Sequence, residues 1–429
     1  MGAYKPLDPH ILKPSSTNRG YFLSKPICTW LACGFLCLAA LHLLCCSPAG
    51  TRQAVFSPLR QYINNTYSFV SSVPEQGKSC NYSEGRWVWA PGHARRYNGT
   101  ECNVKKSHDC IRNGRTDTRY LDWRWQPAGC PLPAFDANAF LSAVRGKHVA
   151  FIGDSMARNQ AQSLACLLTA AFPYRLVYRD PGRNKYNFWR LAFPTHDVTV
   201  SYYWNPFLVR ATGKAEDDSI RYNYVHLDEP GDRWGADADT IDVAVLSASH
   251  WLLNGGVYYN GSEVIGAHNA GELNHTGVGY AWPLRMAYRT AVQRLSSGRP
   301  RTVVLATFSP SHFEGSTAFN ATACTKKEPY KEGERDLGWI DKEMRDIVYD
   351  EAKAAKARSG DGSAVSIEVL DVTTLAAMRP DGHPSVYMIR DPFANGAQEK
   401  MMSDCLHFCL PGPVDTFNEI LLQLLRKRR

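Results

Sequence analysis

The chain has 429 residues, 44% hydrophobic and 21% charged, which excludes a disordered polymer and allows one large catalytic domain or two ordinary ones. Its formal net charge is +8, but the positive residues are scattered and only 426–429 form a tight basic run, so nothing marks a nucleic-acid partner. Residues 1–26 carry Lys5, Lys13, Arg19 and Lys25 against one acid, Asp8, and read as a cytosolic tail. Next comes ICTWLACGFLCLAALHLLCC (27–46), twenty residues without Asp, Glu, Lys or Arg. That is the length of a bilayer-spanning helix and exceeds the apolar core of a cleaved signal peptide. With the more positive flank on the N-terminal side, 27–47 is expected to be an uncleaved anchor with everything beyond it luminal. Residues 48–78 are polar, with no long apolar period, and read as a stem.

The cysteines fit an oxidising lumen. Five of the thirteen lie in or beside the span; the other eight are Cys80, Cys102, Cys110, Cys130, Cys166, Cys324, Cys405 and Cys409. An even number suggests up to four disulfides, and the absence of paired CxxC or His motifs argues against zinc, so no metal is expected. Six N-x-S/T sequons follow the span, at Asn64, Asn81, Asn98, Asn260, Asn274 and Asn320, as expected of a glycosylated luminal chain.

Residues 79–136 are dense in Cys, Trp, Arg and Gly and read as a loop-rich, disulfide-stapled subregion. Trp87, Trp89, Trp123 and Trp125 alternate, which places pairs on one face of extended segments; a structural Trp/Arg core is favoured there over sugar stacking. From 137 to 429 strands and helices alternate. Strands are predicted at 148–153, 197–204, 240–246, 302–307 and 365–372, and helices at 156–172, 284–295, 337–358 and 414–425. The pattern predicts a mostly parallel sheet covered by helices on both faces, a three-layer α/β/α unit.

Two short motifs carry chemistry. Gly153-Asp154-Ser155 follows an apolar strand and precedes a helix, where a serine hydroxyl meets helix N-terminal amides that favour developing negative charge. A helix-capping role is the plain alternative for that serine. Far downstream, Asp404-Cys405-Leu406-His407 places an acid three residues before a histidine, the base and orienter that a serine nucleophile needs. Cys405 and Cys409 flank His407 and offer it rigid support. No G-x-S-x-G elbow exists; Ser followed by a C-terminal D-x-x-H is the GDSL/SGNH esterase order.

Several blocks together resemble the plant trichome birefringence-like family, whose members O-acetylate cell-wall polysaccharides. They are CNYSEGRWVWAP (80–91), NGRTDTRYLDWRWQPAGCPLP (113–133), FIGDSMARNQ (151–160), TFSPSHF (307–313) and DCLHFCLP (404–411). The resemblance implies an SGNH/GDSL-like fold and a Golgi-resident type II membrane protein. It makes Ser155 the nucleophile, His407 the base and Asp404 its orienter. It also implies an acetyl donor such as acetyl-CoA and no bound cofactor. Arg158 and Asn159 are expected to serve the oxyanion or the substrate, and His250, just beyond the strand 240–246, to line the acceptor site. The disulfides implied by the likeness are Cys80–Cys130, Cys102–Cys166, Cys110–Cys409 and Cys324–Cys405. MRPDGHPSVY (378–387) is closer to the branch acting on xyloglucan and mannan than to the xylan branch, so the expected acceptor is a hemicellulose, xyloglucan before mannan or xylan. The segment 316–323 lacks the Gly/Trp-rich stretch expected after S-P-x-H-F. Asp237-Ala238-Asp239 precedes a strand and so does not read as a nucleotide-sugar site; His312 and His383 read as loop structure. A polysaccharide acetylesterase and a non-catalytic wall-binding protein remain the alternatives.

Overall fold

The computed structural model describes residues 80–93, 97–98, 102–313, 322–360, 363–396 and 401–427. The expected tail, anchor and stem lie outside these residues, as do Asn64, Asn320 and most of 316–323; among the described residues no helix is long and apolar enough to cross a membrane.

In chain order the strands are β1 (Gly85–Trp89), β2 (Trp123–Pro127), β3 (His148–Gly153), β4 (Arg175–Arg179), β5 (Phe188–Phe193), β6 (Val198–Trp204), β7 (Val209–Gly213), β8 (Asn223–Pro230), β9 (Val243–Ser247), β10 (Gly256–Asn260), β11 (Glu263–His268), β12 (Arg301–Ala306) and β13 (Val365–Leu370). The α-helices are α1 (Ala137–Ala143), α2 (Ser155–Thr169), α3 (Asp232–Asp237), α4 (Ala281–Ser296), α5 (Trp339–Ser359), α6 (Thr373–Ala377) and α7 (Asp415–Arg426).

A seven-stranded sheet in the order β13-β12-β9-β3-β6-β5-β4 organises the chain. Its five strands from β13 to β6 are parallel, whereas β5 and β4 join antiparallel at one edge. Alternate residues of each strand enter opposite layers, because strand side chains point to alternating faces. Val149, Phe151, Val243, Val245 and Val304 pack with α1, α2 and α7, while Ala150, Ile152, Ala244, Leu246, Val303 and Leu305 pack with α4 and α5. The expected three-layer α/β/α unit is therefore present. A correction concerns 205–268, where the sequence reading placed one strand: β7, β8, β10 and β11 form a second, four-stranded mixed sheet in the order β11-β10-β8-β7.

The stapled N-terminal region is built on β1 and β2, paired antiparallel with Trp87 opposite Trp125 and Trp89 opposite Trp123. Trp87 and Trp125 are buried, the Trp87 indole donates to Leu375 O, and the Arg379 guanidinium lies 4.3 Å above the Trp87 ring. Trp87 and Trp125 thus form a structural core with Arg379, whereas Trp89 is exposed and Trp123 half-buried. All four disulfides pair as the family likeness implied, with Cα–Cα separations of 5.5–6.0 Å. Cys102–Cys166 staples this region to α2, and Cys110–Cys409 staples it to the loop before α7.

Strand β3 lies between β6 and β9, so the chain leaves it in one direction and later returns on the other side. Crevices at such switch points, beyond the carboxyl ends of parallel strands, are where open α/β sheets bind ligands. Gly153 ends β3 there. A Cβ on it would run into Ser247 O of β9 and crowd Ala157 of α2. We predict that Gly153→Ala costs about 3 kcal/mol of stability, read as a lower urea midpoint, because neighbouring backbone cannot give way.

Candidate active site

Ser155 is the first residue of α2, and the cap is its neighbour: the Asp154 carboxylate accepts from Met156 N at 2.9 Å. The alternative that Ser155 itself caps the helix is thereby removed. The other Asp154 oxygen accepts from Ser249 N at 3.2 Å, tying the loop after β9 to the start of α2. Ser155 is 8% exposed and stands at the positive end of a fifteen-residue helix, a place that stabilises an oxyanion.

The second half of the site is the turn 404–407. Asp404 Oδ1 accepts from the backbone N–H of Leu406 at 3.0 Å and of His407 at 2.9 Å, and Oδ2 accepts from His407 Nδ1 at 2.7 Å. Burial alone would raise the Asp404 pKa. The facing His407, by charge and hydrogen bond, outweighs burial and holds the carboxyl well below the usual carboxylate range. With Nδ1–H committed to an ionised acid, His407 carries its lone pair on Nε2. That nitrogen is buried and has no hydrogen-bond partner among the described residues.

Rigid supports surround this turn. Cys405 is bonded to Cys324 and Cys409 to Cys110. Backbone bonds join Asp404 to Ser385 in both directions, and Cys409 N donates to Gly382 O. Asn159, one turn after Ser155 on the same face of α2, donates through Nδ2 to Phe408 O and accepts at Oδ1 from Phe408 N, both at 3.0 Å. Its remaining amide hydrogen faces His108 Nδ1 at 3.3 Å. In this arrangement both amide hydrogens of Asn159 are engaged away from Ser155, and the side chain clamps the His407 turn. Asn159→Ala is predicted to lower kcat about tenfold while KM moves less than about twofold, since it loosens the base without touching substrate; steady-state kinetics decide it.

Arg158 is buried and packs 5.0 Å from the Trp204 ring, with Nε unpaired among the described residues. His250 sits at the same end of the sheet, its Nε2 bonded to Ser309 O at 2.9 Å and its ring 4.5 Å from Phe308. Burial lowers its pKa, with Asp154 opposing the shift and His407 adding to it.

Two neighbours were absent from the sequence reading. The His108 ring lies 4.7 Å from that of His407 and is fully buried; burial, then His407 and Lys105, push its pKa well below the imidazole range. Lys105 is lowered to about 8 by burial and by Arg158, against the pull of Asp404. The signal for His108 was the disulfide: it precedes Cys110 by two residues, as His407 precedes Cys409. His108, Asp404 and His407 bring one potential ligand atom each within 4.8 Å of one another. Both Asp404 oxygens already serve the 404–407 turn, so the trio is arranged to orient an imidazole.

Other sequence-read residues lie apart from the site. Asp237 accepts from Arg190 and Tyr203, and Asp239 pairs with Arg294, so the D-x-D is structural. Asn81, Asn98, Asn260 and Asn274 are exposed.

A family model described as a GDSL/SGNH-like acyl-esterase family found in Pmr5 and Cas1p matches residues 132–424. The chain belongs to this family. A second model, the PMR5 N-terminal domain, matches 78–131. Among similar proteins, xyloglucan O-acetyltransferase 1 of Populus trichocarpa is 44% identical over 372 residues, 85% of this chain and 86% of the relative. Xyloglucan O-acetyltransferase 1 of Arabidopsis thaliana is 46% identical over 349 residues, 81% of this chain and 80% of the relative. Protein trichome birefringence-like 25 of Arabidopsis thaliana is 33% identical, covering 84% of this chain and 80% of the relative. The first match spans both Ser155 and the 404–407 turn.

Proposed function

We propose that the protein is a Golgi-anchored xyloglucan O-acetyltransferase working through an acetyl–Ser155 intermediate. The observation that carries the mechanism is the bare, buried Nε2 of His407, whose opposite nitrogen is held by ionised Asp404. In the first step Nε2 takes the Ser155 hydroxyl proton as Oγ attacks the donor acetyl carbonyl. Collapse of the tetrahedral adduct expels the donor's leaving group, which receives that proton from His407. In the second step Nε2 takes the proton of a sugar hydroxyl as its oxygen attacks the acetyl–serine carbonyl; Ser155 leaves and is reprotonated. The end of α2 and Arg158 meet the charge on the adduct oxygen in both steps. Acetyl-CoA, a thioester, is a suitable donor. The relatives' names support xyloglucan as acceptor, and the apolar segment 27–47 supports the anchor.

The acyl-esterase description of the family supports a second reading, in which water replaces the sugar hydroxyl in step two. The test incubates the protein with acetyl-CoA and, separately, xyloglucan, mannan and xylan oligomers, reading mass. Acetyl gain on xyloglucan alone confirms the proposal; gain on another oligomer renames the acceptor. Acetyl loss from pre-acetylated oligomers with no gain anywhere establishes the esterase.

A further inference from the structure

Behind the 404–407 turn lies a second pair of histidines that this mechanism does not use. His312 follows β12 and is 3% exposed; His383 follows α6 and is 2% exposed. His312 Nε2 lies 2.7 Å from Ala377 O, His312 Nδ1 lies 2.6 Å from His383 Nε2, and His383 Nδ1 lies 2.7 Å from His407 O. The sequence of groups is carbonyl, ring, ring, carbonyl, with three gaps at hydrogen-bond distance. A carbonyl oxygen only accepts, so each outer gap needs a proton on the ring nitrogen. The middle gap, between two nitrogens, needs one as well. Three gaps take three protons, whereas two neutral imidazoles carry two. We propose that His312 and His383 together hold one excess proton, as an imidazole–imidazolium pair, and that this pair positions His407 by gripping its backbone carbonyl.

Every neutral arrangement sets two lone pairs against each other in at least one of the three gaps. The surroundings frame the proton's stability. Phe408 stacks on His383 at 4.9 Å and Tyr330 faces His312 at 6.1 Å. Arg115 donates to His383 O and Asp381 O, Arg335 donates to Ser311 O, and buried Asp381 is paired with Arg379. Burial pushes His312 down to about 2, helped by His383 and Arg335 against the bond to Ala377. Burial also pushes His383 down to about 4, with His407 adding to the shift and the bond to His407 O, Asp404 and Asp381 opposing it. Burial thus disfavours charge on either ring, and what favours the excess proton is the set of three contacts that only it completes. Raising the pH removes it, the middle contact opens, and the grip on His407 O weakens.

The effect on catalysis rests on His407 being the base; the proton count does not. The first measurement uses full-length protein with ¹⁵N-labelled imidazoles, and reads charge and tautomer of each ring from two-bond proton–nitrogen spectra. Three protonated nitrogens out of four on His312 and His383 are expected, falling to two as pH rises. Two at every pH at which the protein is folded would overturn the proposal. The second measurement is the pH profile of kcat. His383→Phe removes the donor to His407 O and should lower kcat about tenfold with KM little changed. His312→Asn offers an amide N–H to His383 Nε2, so a neutral His383 can still donate to His407 O. It should lower kcat less than His383→Phe and erase the fall of the wild-type profile that accompanies loss of the shared proton as pH rises. Equal losses in both variants with that fall intact would reduce the pair to packing and sink its positioning role. Should either variant fail to fold, the wild-type proton count still decides. Transfer retained by Ser155→Ala would remove the mechanism while leaving that count standing.

Discussion

Ser155→Ala is expected to lower acetyl transfer by at least about 10,000-fold while the fold survives. The expectation follows from what the hydroxyl does not do. The cap of α2 is the Asp154 carboxylate, which also holds Ser249 N, so neither helix start nor loop depends on Ser155 Oγ. The melting temperature should stay within about 2 °C of the parent, since removing one hydroxyl with no capping duty changes stability by a fraction of a kcal/mol. Mass spectrometry after mixing with acetyl donor should show an acetyl adduct on the parent and none on the variant. An adduct on the variant, or undiminished transfer, would place the nucleophile elsewhere.

The second large effect is Asp404→Asn, expected to lower kcat/KM about 1,000-fold or more. The Asp404 carboxylate accepts three hydrogen bonds, two from backbone amides and one from His407 Nδ1. An amide has one accepting oxygen and one donating nitrogen. If the oxygen keeps the backbone, the nitrogen confronts Nδ1, the imidazole moves its proton to Nε2, and the base becomes a donor. If the oxygen keeps the imidazole, two backbone amides lose their acceptor, at about 1–3 kcal/mol for each buried group left unmet. Activity and stability together show which compromise the variant takes. The pH dependence has a definite sign. A carboxyl whose folded pKa lies below its unfolded value contributes stability that is fully present above about pH 4 and lost as pH falls toward the folded value. Asp404 thus stays ionised from about pH 5 to 8, and the contribution is constant there; urea midpoints of parent and variant should converge only in strong acid.

What the sequence revealed follows from where each element is buried. The run HVAFIG was readable because β3 is covered on both faces, and a doubly covered parallel strand is apolar throughout. Serine and histidine were found because their local motifs are compact. The second sheet was missed because β7, β10 and β11 are only five or six residues long and all four strands mix exposed or half-buried with buried positions. Reading Asn260-Gly261 as a sequon overlooked the hairpin it makes: Gly261 turns at φ 57° between β10 and β11, a common signature of such turns. Asn159 was legible as important but not as a clamp, because its partner is a backbone 249 residues away. His108 and the His312–His383 pair were out of reach for the same reason. The segment 378–387, read as a mark of the acceptor branch, has Arg379, Asp381 and His383 buried behind the 404–407 turn, so these side chains meet the protein's interior and not a polymer.

The bond between Cys110 and Cys409 closes a loop of about 300 residues and brings His108 of one matched region against His407 of the other. The border at 131/132, where one family match ends and the next begins, is therefore not a seam along which the protein can be recombined. A chimera that takes residues 132–424 from a relative and 78–131 from this chain would join two halves of one chemical centre that had never been fitted to each other. Exchange of acceptor preference between relatives should accordingly travel with both regions, inherited as a single cassette.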